Sequence, residues 1–175
     1  MDLELSDEQR LLADSLKAFV DSELMPFEAV TDRAGEVSKE LGRQIVDKAL
    51  ALGFYAANLP ESVGGGGLDN ASLVIMEREL GTIPHALNSY VRQPTVLLHA
   101  CEGDKIERYL TPGVRGEKTE CFAVTEPGAG SDILSMSTRA TQKGGDWIVN
   151  GSKHFIGSHV LPDFAIVFPV TQDDK

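Results

Sequence analysis

Two different periods of apolar and polar residues divide the sequence. Up to about residue 118 the apolar positions recur at helical spacing. Leu5, Leu12, Leu16 and Phe19 follow one another at steps of seven, four and three, and Leu24 lies eight past Leu16, which aligns them on one helix face. Ser6 and Gln9 have the spacing of a capping box that starts this helix, and Pro26 lies just past its end. A second helix is predicted over 38–52, with Leu41, Ile45, Ala49 and Leu52 on one stripe and Gly53 as its stop. A third is predicted over 69–80, with Asp69 as N-cap and Gly81 after it. A fourth is expected over 86–99 behind Pro84, and a short one over 104–110. Beyond residue 118 the pattern turns strand-like. Cys121–Thr125 is short and β-prone, and Phe164–Val170 is another apolar run of strand length. Between them, 137–157 reads as a meander. A strand over 137–142 turns at Gly144-Gly145 into Trp147–Val149, and Asn150-Gly151 is expected to turn the chain into a return strand over 152–156.

Helices first and antiparallel strands second make an α+β chain, with a helical domain over 1–118 and the start of a β-domain over 119–175. The length of 175 residues fits one domain or two small ones. The expected β unit is small, and its last strand runs straight into Asp173-Asp174-Lys175, so the sequence reads as the front part of a longer fold.

Composition narrows the function. Apolar residues are 42% and charged residues 25%, ordinary for a folded globular chain. No apolar run approaches the roughly 18 residues of a membrane-spanning helix. The acidic start Met1-Asp2-Leu3-Glu4-Leu5 is unlike a signal peptide. The expected compartment is the cytoplasm or an organellar matrix. The net charge is −11, and within 1–50 twelve acidic residues face six basic ones, which argues against nucleic-acid and anionic-membrane partners. Cys101 and Cys121 stand 20 apart with no CxxC, which fits two buried thiols in a reducing cytosol.

Most motif-like features have simple readings. Gly64–Gly67 is followed by Leu68-Asp69 where a phosphate loop needs Lys and Ser/Thr, so a flexible connector is expected. Gly128-Ala129-Gly130 lacks the third glycine of a dinucleotide fingerprint, because Ile133 stands there. His154 and His159 would fall on opposite faces of a strand, and His85 and His99 lie elsewhere, so no metal site is expected.

The segment from Ala123 to Asp132, Ala-Val-Thr-Glu-Pro-Gly-Ala-Gly-Ser-Asp, carries more. A strand ends in a small-residue loop whose glycines let backbone approach a ligand, and Thr125 and Ser131 add hydroxyl groups. Its order, from Ala123 to the small residue Ser135, resembles the signature of the acyl-CoA dehydrogenase family. Leu59-Pro60-Glu61-Ser62-Val63-Gly64-Gly65 and Trp147-Ile148-Val149-Asn150-Gly151-Ser152-Lys153 resemble two further motifs of that family.

The resemblance implies an FAD enzyme, usually a homotetramer, with a helical domain, a middle β-domain and a C-terminal helical bundle. It implies desaturation of an acyl-CoA thioester between the α and β carbons, with hydride passing to flavin N5 and electrons leaving to an electron-transfer flavoprotein. Carried onto this sequence, it implies that Phe122, Val124, Thr125, Phe155, Ile156, Gly157 and Ser158 contact FAD, and that Gly130 and Ser131 lie at the CoA end. Phe155 stands where the family usually has Trp, and Gly157 where it usually has Thr. Glu126 is expected to be a structural carboxylate. The catalytic base is expected downstream, so no catalytic residue is assigned within this chain. Alternatives on the same fold are a non-catalytic flavin- or CoA-binding subunit of a hetero-oligomer, an acyl-CoA oxidase and a flavin monooxygenase. Tyr90, Val91 and Arg92 are expected to serve packing or surface roles.

Overall fold

A computed structural model describes residues 4–91, 93–157 and 161–171. The chain divides into two compact units, Met1–Lys118 and Thr119–Lys175.

The first unit is helical. Helix α1 (Asp7–Phe19) starts where the Ser6 hydroxyl accepts the Gln9 N–H at 3.2 Å and the Gln9 side-chain oxygen accepts the Ser6 N–H at 3.1 Å. Both halves of the expected capping box are therefore made. Pro26 does not end the helical course. A widened turn over Val20–Leu24 and a tight one over Met25–Phe27 carry the chain past the missing proline N–H into α2 (Glu28–Ala34). Helix α3 (Lys39–Ala51) is capped by Ser38, and α4 (Asn70–Leu80) by Asp69, whose carboxylate accepts the Ser72 N–H at 2.8 Å. Leu16, Phe19, Val20 and Leu24 join Ile45, Ala49, Ile75, Met76 and Leu80 as buried core residues, and α1 packs on α4. The expected stripe on α3 stops short of Leu52, which is exposed past the helix end.

Two further expectations for this unit are corrected. The helix expected over 86–99 is only α5 (His85–Asn88), followed by a tight helical turn over Val96–Ala100. Gln93 precedes Pro94, and a residue before proline is pushed out of helical geometry. The Gln93 side chain instead donates to the Phe54 carbonyl at 2.7 Å and accepts the Asn58 N–H at 3.1 Å. The short helix expected over 104–110 is present and runs on through Ile106–Leu110 into α6 (Thr111–Val114). The four-glycine segment is no flexible connector. The Gly65, Gly66 and Gly67 N–H groups donate to the carbonyls of Pro60, Ala56 and Leu59, which folds the loop tightly onto 56–61. Tyr90 lies against Gly42 of α3 and Val91 is buried, both in packing roles, while Arg92 lies outside the described residues.

The second unit holds two strand pairs. Strand β1 (Glu120–Ala123) pairs in parallel with β4 (Phe164–Val167), and β2 (Arg139–Lys143) pairs antiparallel with β3 (Asp146–Asn150). The antiparallel expectation thus holds for the hairpin, whose turn is Gly144-Gly145, but not for β1 and β4, where the chain crosses over before pairing. Strand β1 ends at Ala123 rather than Thr125. Asn150 is the last residue of β3, opposite Arg139, and no return strand forms over 152–156 within the described residues. The chain leaves β3 at Gly151 and docks beside the 124–126 segment instead, where the His154 N–H donates to the Thr125 carbonyl at 2.8 Å.

Candidate functional site

The site is built in the second unit around Glu126, which is buried at 5% exposure one residue past Thr125. One carboxylate oxygen accepts the Ser137 N–H at 2.6 Å and the Ser137 hydroxyl at 2.7 Å. The other accepts the Thr138 N–H at 2.9 Å and the Lys153 ammonium at 2.9 Å. Four donors fill the four lone-pair positions of an ionised carboxylate. The Lys153 ammonium, followed by the Ser137 and Thr138 donors, holds the Glu126 carboxyl well below the usual carboxylate range. A group so acidic and so fully occupied is no general base, and Glu126 is a structural carboxylate.

A pH dependence follows. A depressed carboxyl adds stability that is complete above its ordinary value of 4.5 and is lost as pH falls toward the folded value. The full-length protein is expected to lose unfolding temperature progressively below about pH 4.5, and Glu126→Gln is expected to flatten that loss. Parallel thermal-melt curves for the two proteins across this range would refute the assignment.

Around the buried node the sequence-predicted residues take definite places. Phe122 is on the exposed side of β1, 6.1 Å from Phe168 by ring centroids. Val124 and Thr125 are half-buried. Among the described residues no partner meets the Thr125 hydroxyl. The Lys153 ammonium donates to the Val124 carbonyl at 2.8 Å, and the His154 N–H donates to the next carbonyl, so 124–126 and 153–154 are brought side by side. Phe155 then emerges at φ +58° and 83% exposure, its ring stacked on His154 at 3.7 Å and 13°. A bulky residue in the left-handed region is strained, and such strain gathers at ligand sites. Ile156 is also exposed. Gly130 and Ser131 are exposed on the loop, and the space where a Gly130 side chain would stand is open to 4 Å. Gly157 has the same open surroundings, so a larger residue fits there. Ser158 lies outside the described residues. Lys153 is the participant the sequence concealed. It stands inside a quoted motif, but its partner is 27 residues upstream.

These features fit a flavin. An exposed aromatic ring offers a platform, the half-buried Thr125 hydroxyl offers a polar contact, and an open glycine loop admits a close approach. Cys121 is buried, whereas Cys101 is only half-buried against expectation, and neither thiol is in a disulfide among the described residues. Nor do three His, Cys, Asp or Glu side chains converge there as metal ligands.

Residues 6–117 match the N-terminal domain of acyl-CoA dehydrogenases and residues 121–175 match their middle domain. The chain belongs to the acyl-CoA dehydrogenase family. It is 33% identical to benzylmalonyl-CoA dehydrogenase of Aromatoleum aromaticum, covering 100% of this chain and 47% of that protein. It is 34% identical to 3-(aryl)acrylate reductase of Clostridium sporogenes, over 97% of this chain and 45% of the relative. It also matches the caffeyl-CoA reductase-Etf complex subunit CarC of Acetobacterium woodii at 34% identity, over 97% of this chain and 45% of the subunit. A glutaryl-CoA dehydrogenase from Mycobacterium smegmatis, solved in complex with FADH2, superposes with a TM-score of 0.80 at 28% identity, over 97% of this chain and 44% of that one. The chain thus spans less than half the length of these relatives.

Proposed function

We propose that this chain is the N-terminal part of an FAD-dependent acyl-CoA dehydrogenase that desaturates an acyl-CoA thioester between its α and β carbons. Sequence beyond this part would supply the base. The observation that carries the proposal is the pairing of 124–126 with 153–154, which sets Thr125, whose hydroxyl meets no partner among the described residues, across from the segment leading into the exposed, strained Phe155. Bound FAD supplies a hydride acceptor; the residues of this chain bind and orient. Phe122, Val124, Thr125, Phe155, Ile156, Gly157 and Ser158 would line the ring, Thr125 through its hydroxyl and backbone. Gly130 and Ser131 would meet the CoA end. Glu126 moves no proton, and its four bonds keep the loop in shape.

An electron-transfer flavoprotein is the proposed acceptor. The name of the Acetobacterium subunit places that protein in a complex with one. A tetrameric assembly is the proposed quaternary state. Two of the relatives are named as reductases, which favours a second reading in which the same site runs toward saturation of an aryl- or alkyl-substituted double bond.

The test is the visible absorbance of the purified full-length protein. Flavin bands are expected, and Thr125→Val is expected to weaken FAD retention by about 1 kcal/mol, the cost of one lost hydrogen bond. Colourless protein would refute the flavin proposal, and undiminished retention would remove Thr125 from the site. Turnover of acyl-CoA against enoyl-CoA substrates decides between the two directions.

A further inference from the structure

The Lys153 side chain is 9% exposed, and its ammonium has three protons to place. Two go to the Val124 carbonyl at 2.8 Å and to Glu126 at 2.9 Å, and the Met136 sulfur lies at 4.0 Å. Glu126 is equally saturated by Ser137, Thr138 and Lys153. The node is therefore a buried network in which every lone pair of the Glu126 carboxylate is bonded, an arrangement that fixes one geometry. Removing one partner of such a pair leaves the other charge buried and unpaired, so Lys153 also supports the stability of the unit.

Where the bonds land matters more. Consecutive residues Lys153 and His154 grip consecutive carbonyls, those of Val124 and Thr125. The next residue is Phe155, turned into the left-handed region and out toward solvent with its ring on His154. Orientation of the 124–125 peptide and emergence of the aromatic ring are thus set by one short stretch anchored through one ammonium.

We infer that Lys153 is a positioning residue of the flavin site, holding the Val124–Thr125 backbone and the Phe155 ring in the arrangement that receives the cofactor. The inference rests on the flavin reading above. Without the ammonium, the Val124 carbonyl loses its donor and Glu126 loses its counter-charge. The peptide that presents Thr125 is then free to turn, and the strain at Phe155 can relax. Lys153 touches neither substrate nor the reacting atoms in this account; it acts through Thr125 and Phe155.

The experiment uses the full-length protein and compares wild type with Lys153→Met and Lys153→Arg. Flavin content, FAD dissociation constant, visible flavin spectrum and melting temperature are read for each. Folded Lys153→Met is expected to bind FAD about tenfold more weakly, with its flavin bands displaced toward those of free FAD. Lys153→Arg, which keeps the charge, is expected to move both readouts back toward wild type. A purely structural lysine would lower the melting temperature of Lys153→Met but leave the bands and the dissociation constant of the folded protein unchanged, and that result overturns the inference. If wild type itself carries no flavin, the functional reading fails and this inference with it. If wild type is flavinylated and Lys153→Met is indistinguishable from it in spectrum and affinity, this inference alone fails. Should Lys153→Met not accumulate as folded protein, Lys153→Gln, which retains an N–H donor, is judged by the same two readouts.

Discussion

Gly151→Ala is expected to destabilise the second unit by about 3 kcal/mol or more and to strip the full-length protein of flavin. Gly151 has φ +150°, a conformation that residues with side chains rarely adopt. A methyl group there would stand 2.4 Å from the Thr138 hydroxyl and 2.7 Å from the Thr138 Cα. Thr138 cannot step aside cheaply, since its N–H is bonded to Glu126 and its carbonyl accepts the Val170 N–H at 2.8 Å. The strain would pass into the Glu126 node and into Lys153 two residues along. Gly145→Ala, in the β2–β3 turn, is the matched control. Nothing lies within 4 Å of its added methyl group, so its cost is expected to stay near about 0.5 kcal/mol. Thermal melts with flavin absorbance recorded on the same samples check both. Equal melting temperatures for the two variants would show that the close approach at Thr138 is not needed.

The history of Gly151 shows where sequence alone carries and where it does not. Asn150-Gly151 is a strong local turn signal, yet the turn is made six residues earlier by Gly144-Gly145. Gly151 is required for a contact with Thr138, thirteen residues upstream, and no local rule sees that. The helix starts were legible for the opposite reason. Ser6 with Gln9, Ser38 and Asp69 each cap a partner three residues away, so spacing reports the bond directly. The over-long fourth helix arose because Leu97 and Leu98 continue an apolar rhythm across Gln93-Pro94. Proline sterics and the Gln93–Asn58 bond break the backbone there. At the candidate site the loop from Ala123 to Asp132 was legible from its small residues and hydroxyls. Lys153 was visible only as a motif letter, because its meaning lies in a carboxylate on a distant segment. The Gly157 departure has a clear spatial correlate: the position is open and imposes no glycine of its own.

The four-glycine loop poses the same question in the first unit, and there the expected effect is as large. Gly65→Ala is expected to destabilise the helical unit by about 3 kcal/mol or more. The added methyl group would lie 2.2 Å from the Leu59 carbonyl oxygen and 2.5 Å from its carbon. Those are backbone atoms of a buried residue, and Leu59 is held further by the Gly67 N–H donating to its carbonyl at 2.9 Å. Relief requires separating the 56–61 and 64–68 segments, which breaks the Gly65–Pro60 and Gly66–Ala56 bonds that fold the loop. Gly103→Ala supplies the scale. It has φ +59° but nothing within 4 Å of an added methyl group, so it is charged only the left-handed penalty of about 1 kcal/mol. A connector serving only as flexible chain would make Gly65→Ala the milder of the two, since its replacement would reduce the entropy of the unfolded state and add stability. Close packing reverses that order. Denaturant midpoints measured on the two full-length variants decide it, and a Gly65→Ala midpoint at or above that of Gly103→Ala would return the loop to a mere linker.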